Sequence, residues 1–377
     1  MRILHFYKTF FPDSMGGIEQ VINQIARGSS KFGVKAEVLS LSSKPQPKMI
    51  EMAGYLAHRA KLTAQIASTG FSISAFSSFR KLADKADVIH YHFPWPFMDL
   101  VHLTTSVRKP AIVTYHSDVI RQKYLLKIYR PLKRNFLSSM DRIVATSPNY
   151  LATSGVLKEY SDKVSVIPIG LDKETYPESS EERKEYWRQK FGEDFFLFVG
   201  VLRYYKGLHI LIEAAKGLDL RIVIVGSGPV ERELKNQASS LGARNIYFLG
   251  HLENEDKVAL LTLCYGVVFP SHLRSEAFGV SLLEGAMYGK PMISSEIGTG
   301  TTFVNIAGET GLVVPPSNPF ALRQAMQYLW DNPNVAAEMG RRAEERYRRF
   351  FTGDKMVESY VGLYNDLVKS EKWLART

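Results

Sequence analysis

Cysteine is almost absent. Cys264 is the only one in 377 residues, so no internal disulfide can form and a reducing compartment is expected. No apolar run approaches the roughly 20 residues that cross a bilayer as a helix. The first twelve residues carry polar side chains where a secretion signal needs an apolar stretch, so no signal peptide is read and a cytoplasmic location is expected. Asp-x-Asp does not occur and no cysteine–histidine set has zinc spacing, so no metal is expected. Gly226-Ser-Gly228-Pro229 lacks the third glycine of a dinucleotide fingerprint, which disfavours NAD. At 45% hydrophobic and 23% charged, the composition excludes disorder and collagen-like repeats.

Positive charge, by contrast, is plentiful and uneven. Residues 1–175 hold 24 Lys and Arg against 13 Asp and Glu, net +11, while residues 176–377 hold 24 against 25, net −1. Such segregation suits a half that faces an anionic surface or ligand; compositional bias of a soluble protein is the alternative. The length fits two domains. Apolar runs at Arg2–Tyr7, Lys35–Leu41, Asp87–His92, Ala111–His116 and Arg142–Thr146 alternate with helical patterns, which predicts a parallel sheet. Pro45–Pro47 and Ser68–Ser78 break the rhythm and read as loops or short helices. After Pro168-Ile-Gly170-Leu-Asp172 the rhythm restarts at Phe195–Gly200, Arg221–Gly226, Asn245–Leu249, Val267–Pro270 and Pro291–Ser294. The expectation is α/β: two facing Rossmann-like, doubly wound domains at 1–172 and 173–351, with a ligand cleft at the carboxyl ends of both sheets. The segment 352–377 is expected as a helix packed back on the first domain.

Candidate chemistry sits at the expected strand ends. Gly16-Gly17 precedes the first helix, where free N–H groups attract anions, or it is an ordinary tight turn. Arg203 and Lys206 lie between a strand and a helix N-terminus. A cation there is unfavourable unless an anion shares the site, so the pair reads as diphosphate-binding, with two solvated cations as the alternative. Glu276 and Glu284 lie eight apart, the first in a loop with Phe278, Gly279 and Val280, the second on an apolar helix face. A carboxylate buried there needs partners, and ribose hydroxyls would serve. Gly226 and Gly228, with His251 and Leu252 after the next strand, suit turns lining a nucleotide. His116 ends a strand and is expected to project into the cleft, with Asp118 orienting it or meeting the acceptor. His90 and His92 close another strand end, lining a groove or packing in the core.

Together these residues resemble the retaining, nucleotide-sugar-dependent glycosyltransferases of family 4, which have the GT-B fold. The resemblance covers the whole chain: E-x7-E at Glu276 and Glu284, the Arg/Lys pair at Arg203 and Lys206, the glycine loop at Gly16-Gly17, P-x-G-x-D at Pro168, Gly170 and Asp172, and the histidine at His116. It implies that Glu276 meets the donor sugar, Glu284 the ribose, and Arg203 and Lys206 the diphosphate, with no cofactor or metal. It also implies front-face transfer with retention, the departing phosphate helping to deprotonate the acceptor. One departure is Ile297-Gly298-Thr-Gly300, where many members carry G-G-x-P-E. This variant is similar to bacterial mannosyltransferases that build O-polysaccharide on a lipid carrier, which implies GDP-mannose as donor and a lipid-linked oligosaccharide as acceptor.

The segment Val119–Ser138 carries Arg121, Lys123, Lys127, Arg130, Lys133 and Arg134 with no acid. Leu125, Ile128, Tyr129, Leu132 and Phe136 fall at helical spacing. A basic helix with an apolar stripe suits an anionic membrane surface, or it is core burial with a solvated back; Pro131 is positioned to interrupt it. Three rivals remain: a UDP-sugar transferase of the same fold, a dinucleotide-dependent oxidoreductase or epimerase, and a nucleic-acid binder. The last needs a basic face with interleaved aromatics and is not favoured.

Overall fold

Short runs of β-branched and aromatic residues become parallel strands because only strands buried on both faces hide such continuous apolar sequence. The computed structural model describes residues 1–66, 69–119, 123–370 and 373. It divides into two units, Met1–Gly170 with Gly353–Thr377, and Leu171–Thr352. The sequence places the joins at 172 and 351. In the structure the two crossing segments lie side by side, Leu171 N–H donating to Phe351 C=O at 2.9 Å.

The first unit contains β1 (Arg2–Phe6), β2 (Lys35–Ser42), β3 (Met49–Met52), β4 (Tyr55–Lys61), β5 (Ala64–Ile66), β6 (Thr69–Phe71), β7 (Val88–Phe93), β8 (Ala111–Tyr115), β9 (Arg142–Ala145) and β10 (Val164–Val166). Eight of these form a sheet of order β10-β9-β8-β7-β1-β2-β4-β3, and β5 pairs with β6 apart from it. All neighbours in the large sheet are parallel except β3 and β4. The strands from Met49 to Phe71 are missed by sequence rhythm because they are short and mix polar with apolar residues. The helix Ile73–Lys85 begins within the stretch read as loops or short helices and runs beyond it.

The helix Gly353–Val368 belongs to this unit. Tyr360 and Tyr364 are buried against the sheet, and the helix crosses Gly28, where a Cβ would meet Val357 at 2.6 Å. Tyr360 Oη bonds to Thr114 Oγ1 at 2.8 Å and Tyr364 Oη to His90 Nδ1 at 2.7 Å.

The second unit has β11 (Phe195–Val199), β12 (Arg221–Val225), β13 (Ile246–Gly250), β14 (Gly266–Phe269), β15 (Met292–Ser295) and β16 (Gly311–Val314). All are parallel, in the order β13-β12-β11-β14-β15-β16. The strand order reverses between β11 and β14. Crevices outside the carboxyl ends at such a reversal bind ligands in open α/β sheets. In the first unit the reversal falls between β1 and β7. No helix among the described residues is long and apolar enough to cross a membrane.

Candidate active site

The second unit gathers its candidate residues at that reversal. Arg203, Tyr204, Tyr205 and Lys206 follow β11 and form a short 3₁₀ turn; Ser271 to Glu276 follow β14. The two loops interlock at Gly207, whose φ of +72° and whose position, with a Cβ only 2.0 Å from Pro270 O, admit no other residue without a shift. This contact brings Lys206 Nζ to 2.5 Å from Glu276 Oε2. Both side chains are only 11% exposed. Ser271 Oγ donates to the same Glu276 oxygen at 3.3 Å, and Lys206 lies 4.6 Å over the Phe269 ring. Arg203 is exposed. The pair read separately, as a phosphate cation and a sugar carboxylate, is thus one ion pair here.

Glu284 lies in the helix Val280–Met287, just beyond Gly279 at its N-terminus. It is buried, and its Oε1 accepts from Tyr176 Oη and from Lys257 Nζ, each at 2.9 Å. Neither partner was singled out from the sequence. A signal for Lys257 exists: it sits near the start of the helix Asn254–Leu263, the unfavourable end for a cation, as with Lys206. Phe278 is buried and Val280 half-buried. Gly300 N–H donates to Ala277 C=O at 2.8 Å, and Arg274 donates to Gly298 C=O at 2.7 Å. The Gly298-Thr-Gly300 loop therefore packs directly on the segment between the two glutamates. Gly226 and Gly228 pack on the loop after β11: a Cβ at Gly226 would fall 2.0 Å from Gly200 O, and at Gly228 2.3 Å from Leu202 O. Close backbone approach accounts for both. His251 is exposed and Leu252 half-buried beyond β13.

In the first unit Gly16 caps the helix Gly17–Ser29. Glu19, in its first turn, is buried and accepts from Thr9 Oγ1 and Ser14 Oγ, each at 2.8 Å, which fixes the loop leading to the glycines. His116 follows β8 and is 5% exposed. Its Nε2 is 3.1 Å from His92 Nδ1. Asp118 is bonded by Tyr115 Oη and Ser154 Oγ, each at 2.9 Å, and Tyr150 Oη meets its N–H at 2.6 Å. Burial holds the His116 imidazole down to about 3, so it is neutral at working pH.

His5, His90 and His92 bring ring nitrogens within 4.8 Å of one another, a grouping that sequence spacing does not show. They fit a metal poorly. Both nitrogens of His90 are bonded, to Tyr364 and Thr114, and His5 Nδ1 faces His92 Nε2 at 3.1 Å. Ring nitrogens already paired by hydrogen bonds are not free to converge on an ion.

The basic segment forms the helix Lys123–Ser139, which continues through Pro131. The single apolar stripe expected there is divided. Phe136 is buried in the core, and Tyr129 is half-buried with its Oη donating to Asp99. Lys127, Ile128, Arg130 and Arg134 are exposed, Ile128 at 79%. The stripe follows the helix's buried side because the helix Pro96–Thr104 lies beneath it. Arg121 lies outside the described residues.

Two doubly wound α/β units, the second with ion pairs at its strand ends, are the architecture of a GT-B glycosyltransferase. The description Glycosyltransferase Family 4 matches residues 15–175, and Glycosyl transferases group 1 matches residues 179–346. The chain is 62% identical over 352 residues to D-rhamnosyltransferase WbpZ of Pseudomonas aeruginosa, covering 93% of this chain and 92% of that one. It is 47% identical to O-antigen chain mannosyltransferase C of Escherichia coli, covering 98% and 100%. In fold it resembles sucrose-phosphate synthase of Thermosynechococcus elongatus, at TM-score 0.79 and 19% identity over 97% and 98% of the two chains. The chain belongs to glycosyltransferase family 4.

Proposed function

We propose that this enzyme transfers a D-manno-configured hexose, mannose from GDP-mannose, to a lipid-linked oligosaccharide in bacterial O-antigen synthesis. The observation that carries the reading is the 47% relative, named an O-antigen chain mannosyltransferase and matched along its full length. The 62% relative favours a second reading, D-rhamnose, which is mannose without the 6-hydroxyl. The unit-2 residues hold the donor. Arg203 and Lys206, with the helix N-terminus after Gly207, meet the diphosphate charge, so the reading needs no metal. Glu276 accepts from sugar hydroxyls and Glu284 from the ribose. Binding then exchanges the Lys206–Glu276 pair for contacts to ligand. The C1–O bond to the diphosphate breaks, the acceptor oxygen joins C1 on the same face, and its proton passes to the departing phosphate. His116 and Asp118 serve the acceptor side. The enzyme works on the inner face of the cytoplasmic membrane, its exposed Lys127, Arg130 and Arg134 meeting anionic lipid.

Thermal shift and transfer assays with GDP-mannose, GDP-D-rhamnose and UDP-glucose test this. A GDP-sugar is expected to stabilise the protein and be consumed. Preference for UDP-glucose overturns the donor reading, and preference for GDP-D-rhamnose selects the second.

A further inference from the structure

Four imidazoles, His5 on β1, His90 and His92 on β7, and His116 at the end of β8, are buried together on one face of the first sheet. Three of them form a continuous ladder. His5 Nδ1 is 3.1 Å from His92 Nε2, and His92 Nδ1 is 3.1 Å from His116 Nε2. The ring centroids are 5.4 Å apart in both steps and the planes 20° and 21° from parallel, so the rings lie nearly edge to edge with the facing nitrogens between them. His5 Nε2 is buried and has no partner. The fourth, His90, is held between Thr114 and Tyr364.

Each neutral imidazole has one N–H and one lone pair. The ladder therefore has only two forms in which both links between the rings are hydrogen bonds. In one, each Nε2–H donates along the series His116 to His92 to His5, and His116 presents a bare Nδ1. In the other, each Nδ1–H donates the opposite way, and His116 presents an Nδ1–H. A mixed ladder sets two lone pairs or two protons against each other 3.1 Å apart. We propose that His92, backed by His5, is a positioning residue that locks the tautomer of His116 to their own and holds its ring plane, so that His116 engages a substrate hydroxyl as a neutral hydrogen-bonding group and not as a base. This rests on the acceptor-side reading of His116.

The ladder has no outlet for a proton. One accepted at His116 Nδ1 and relayed inward arrives at His5, which would then carry a charge in a fully buried site. The groups facing the ladder are Tyr7, just past β1, which lies against His92, and His90 from β7, which lies against His5 and His92 and is itself enclosed by Thr114 from β8 and by Tyr360 and Tyr364 from the tail helix. None is a carboxylate, so nothing among them offsets such a charge. Burial lowers His5 and His116 to about 3, in keeping with this geometry.

The test uses the full-length protein labelled with 15N-histidine. Ring-nitrogen shifts are expected to show His5, His92 and His116 in the same neutral tautomer, unchanged from pH 8 to 5. His92→Phe keeps the ring and removes both nitrogens. It is expected to mix the His116 tautomers and lower turnover about tenfold, with octyl α-mannoside as acceptor and the nucleotide sugar that wild type consumes, while GDP affinity stays within twofold. His5→Phe breaks only the far end and is expected to loosen the tautomer likewise, which covers the case that His92→Phe fails to fold. Unlike tautomers, a His116 midpoint between pH 5 and 8, or wild-type turnover in His92→Phe when His116→Ala has lost it, overturns the proposal. Wild-type turnover in His116→Ala overturns the acceptor-side reading instead, while the tautomer measurement still decides the ladder.

Discussion

Lys206 and Glu276 are 70 positions apart, yet their charged groups lie 2.5 Å from each other at the reversal of the second sheet. The two residues therefore have a structural duty besides any duty to ligand. Breaking a buried pair from one side strands the other charge, at about 3 kcal/mol. Lys206→Ala and Glu276→Ala are each expected to lower stability by that order, and Lys206→Ala/Glu276→Ala by less than the sum. Arg203→Ala, exposed and outside the pair, is expected to weaken nucleotide-sugar binding by about 2 kcal/mol without changing the melting temperature. Calorimetric titration with denaturation of the four variants checks this; additive losses in the double variant would refute the coupling.

Glu284 is expected to behave differently from Glu276. Glu284→Ala leaves the Lys257 ammonium and the Tyr176 hydroxyl without their shared acceptor, which costs about 3 kcal/mol of stability. It should also weaken free GDP about tenfold if the carboxylate holds ribose. Glu276→Ala should lower turnover and leave free GDP affinity nearly intact. Lys257→Met separates the two duties of Glu284, lowering stability with a smaller effect on GDP. Equal GDP affinities in Glu276→Ala and Glu284→Ala would remove the division of roles.

Acid should loosen the first unit. Burial, reinforced by neighbouring imidazoles, lowers His90 and His92 well below 6.5, and burial alone lowers His5 and His116 to about 3. Depressed histidines stay neutral when folded and take up protons when unfolded. Their contribution is complete above pH 6.5 and is lost as pH falls from there towards 3. Each costs roughly 1–2 kcal/mol between pH 6.5 and 5. Hydrogen exchange of β1 and β7 at pH 7.5 and pH 5 should show the loss, and His5→Phe should reduce it. Equal protection at both pH values would be inconsistent with buried neutral imidazoles.

Membrane binding is expected to depend on the outer face of the helix Lys123–Ser139. The protein should sediment with phosphatidylglycerol vesicles at low salt and be released at high salt, since exposed charges are screened. Replacing Lys127, Arg130 and Arg134 with Glu should prevent sedimentation and leave GDP-mannose binding unchanged. Lys133 is a poorer choice, because it is half-buried. A wild type that ignores vesicles at low salt would point to a soluble acceptor.

The parallel strands were legible because each is a local apolar run between a turn and a helix. Arg203, Lys206, Glu276 and Glu284 were legible because each stands within a few residues of a strand end or helix start, where chemistry concentrates in this architecture. The short strands from Met49 to Phe71 gave no such signal. Nor did Tyr176, which reaches Glu284 from 108 positions away, and Lys257, though near a helix start, gave no sign of its partner 27 positions on.

Sequence alone determined the alternation of strands and helices, the restart after Asp172 and the family, because these are written in spacing and short motifs. Tertiary structure decided which residues face each other. It paired Lys206 with Glu276, enclosed Glu284 between Lys257 and Tyr176, and lined up His5, His92 and His116 from three neighbouring strands and their ends. It also turned Phe136 into the core while leaving Ile128 outside. The physical reason is that a helical or strand period states which residues share a face, whereas the partner of that face, and so the burial and charge it meets, depends on segments distant in the chain.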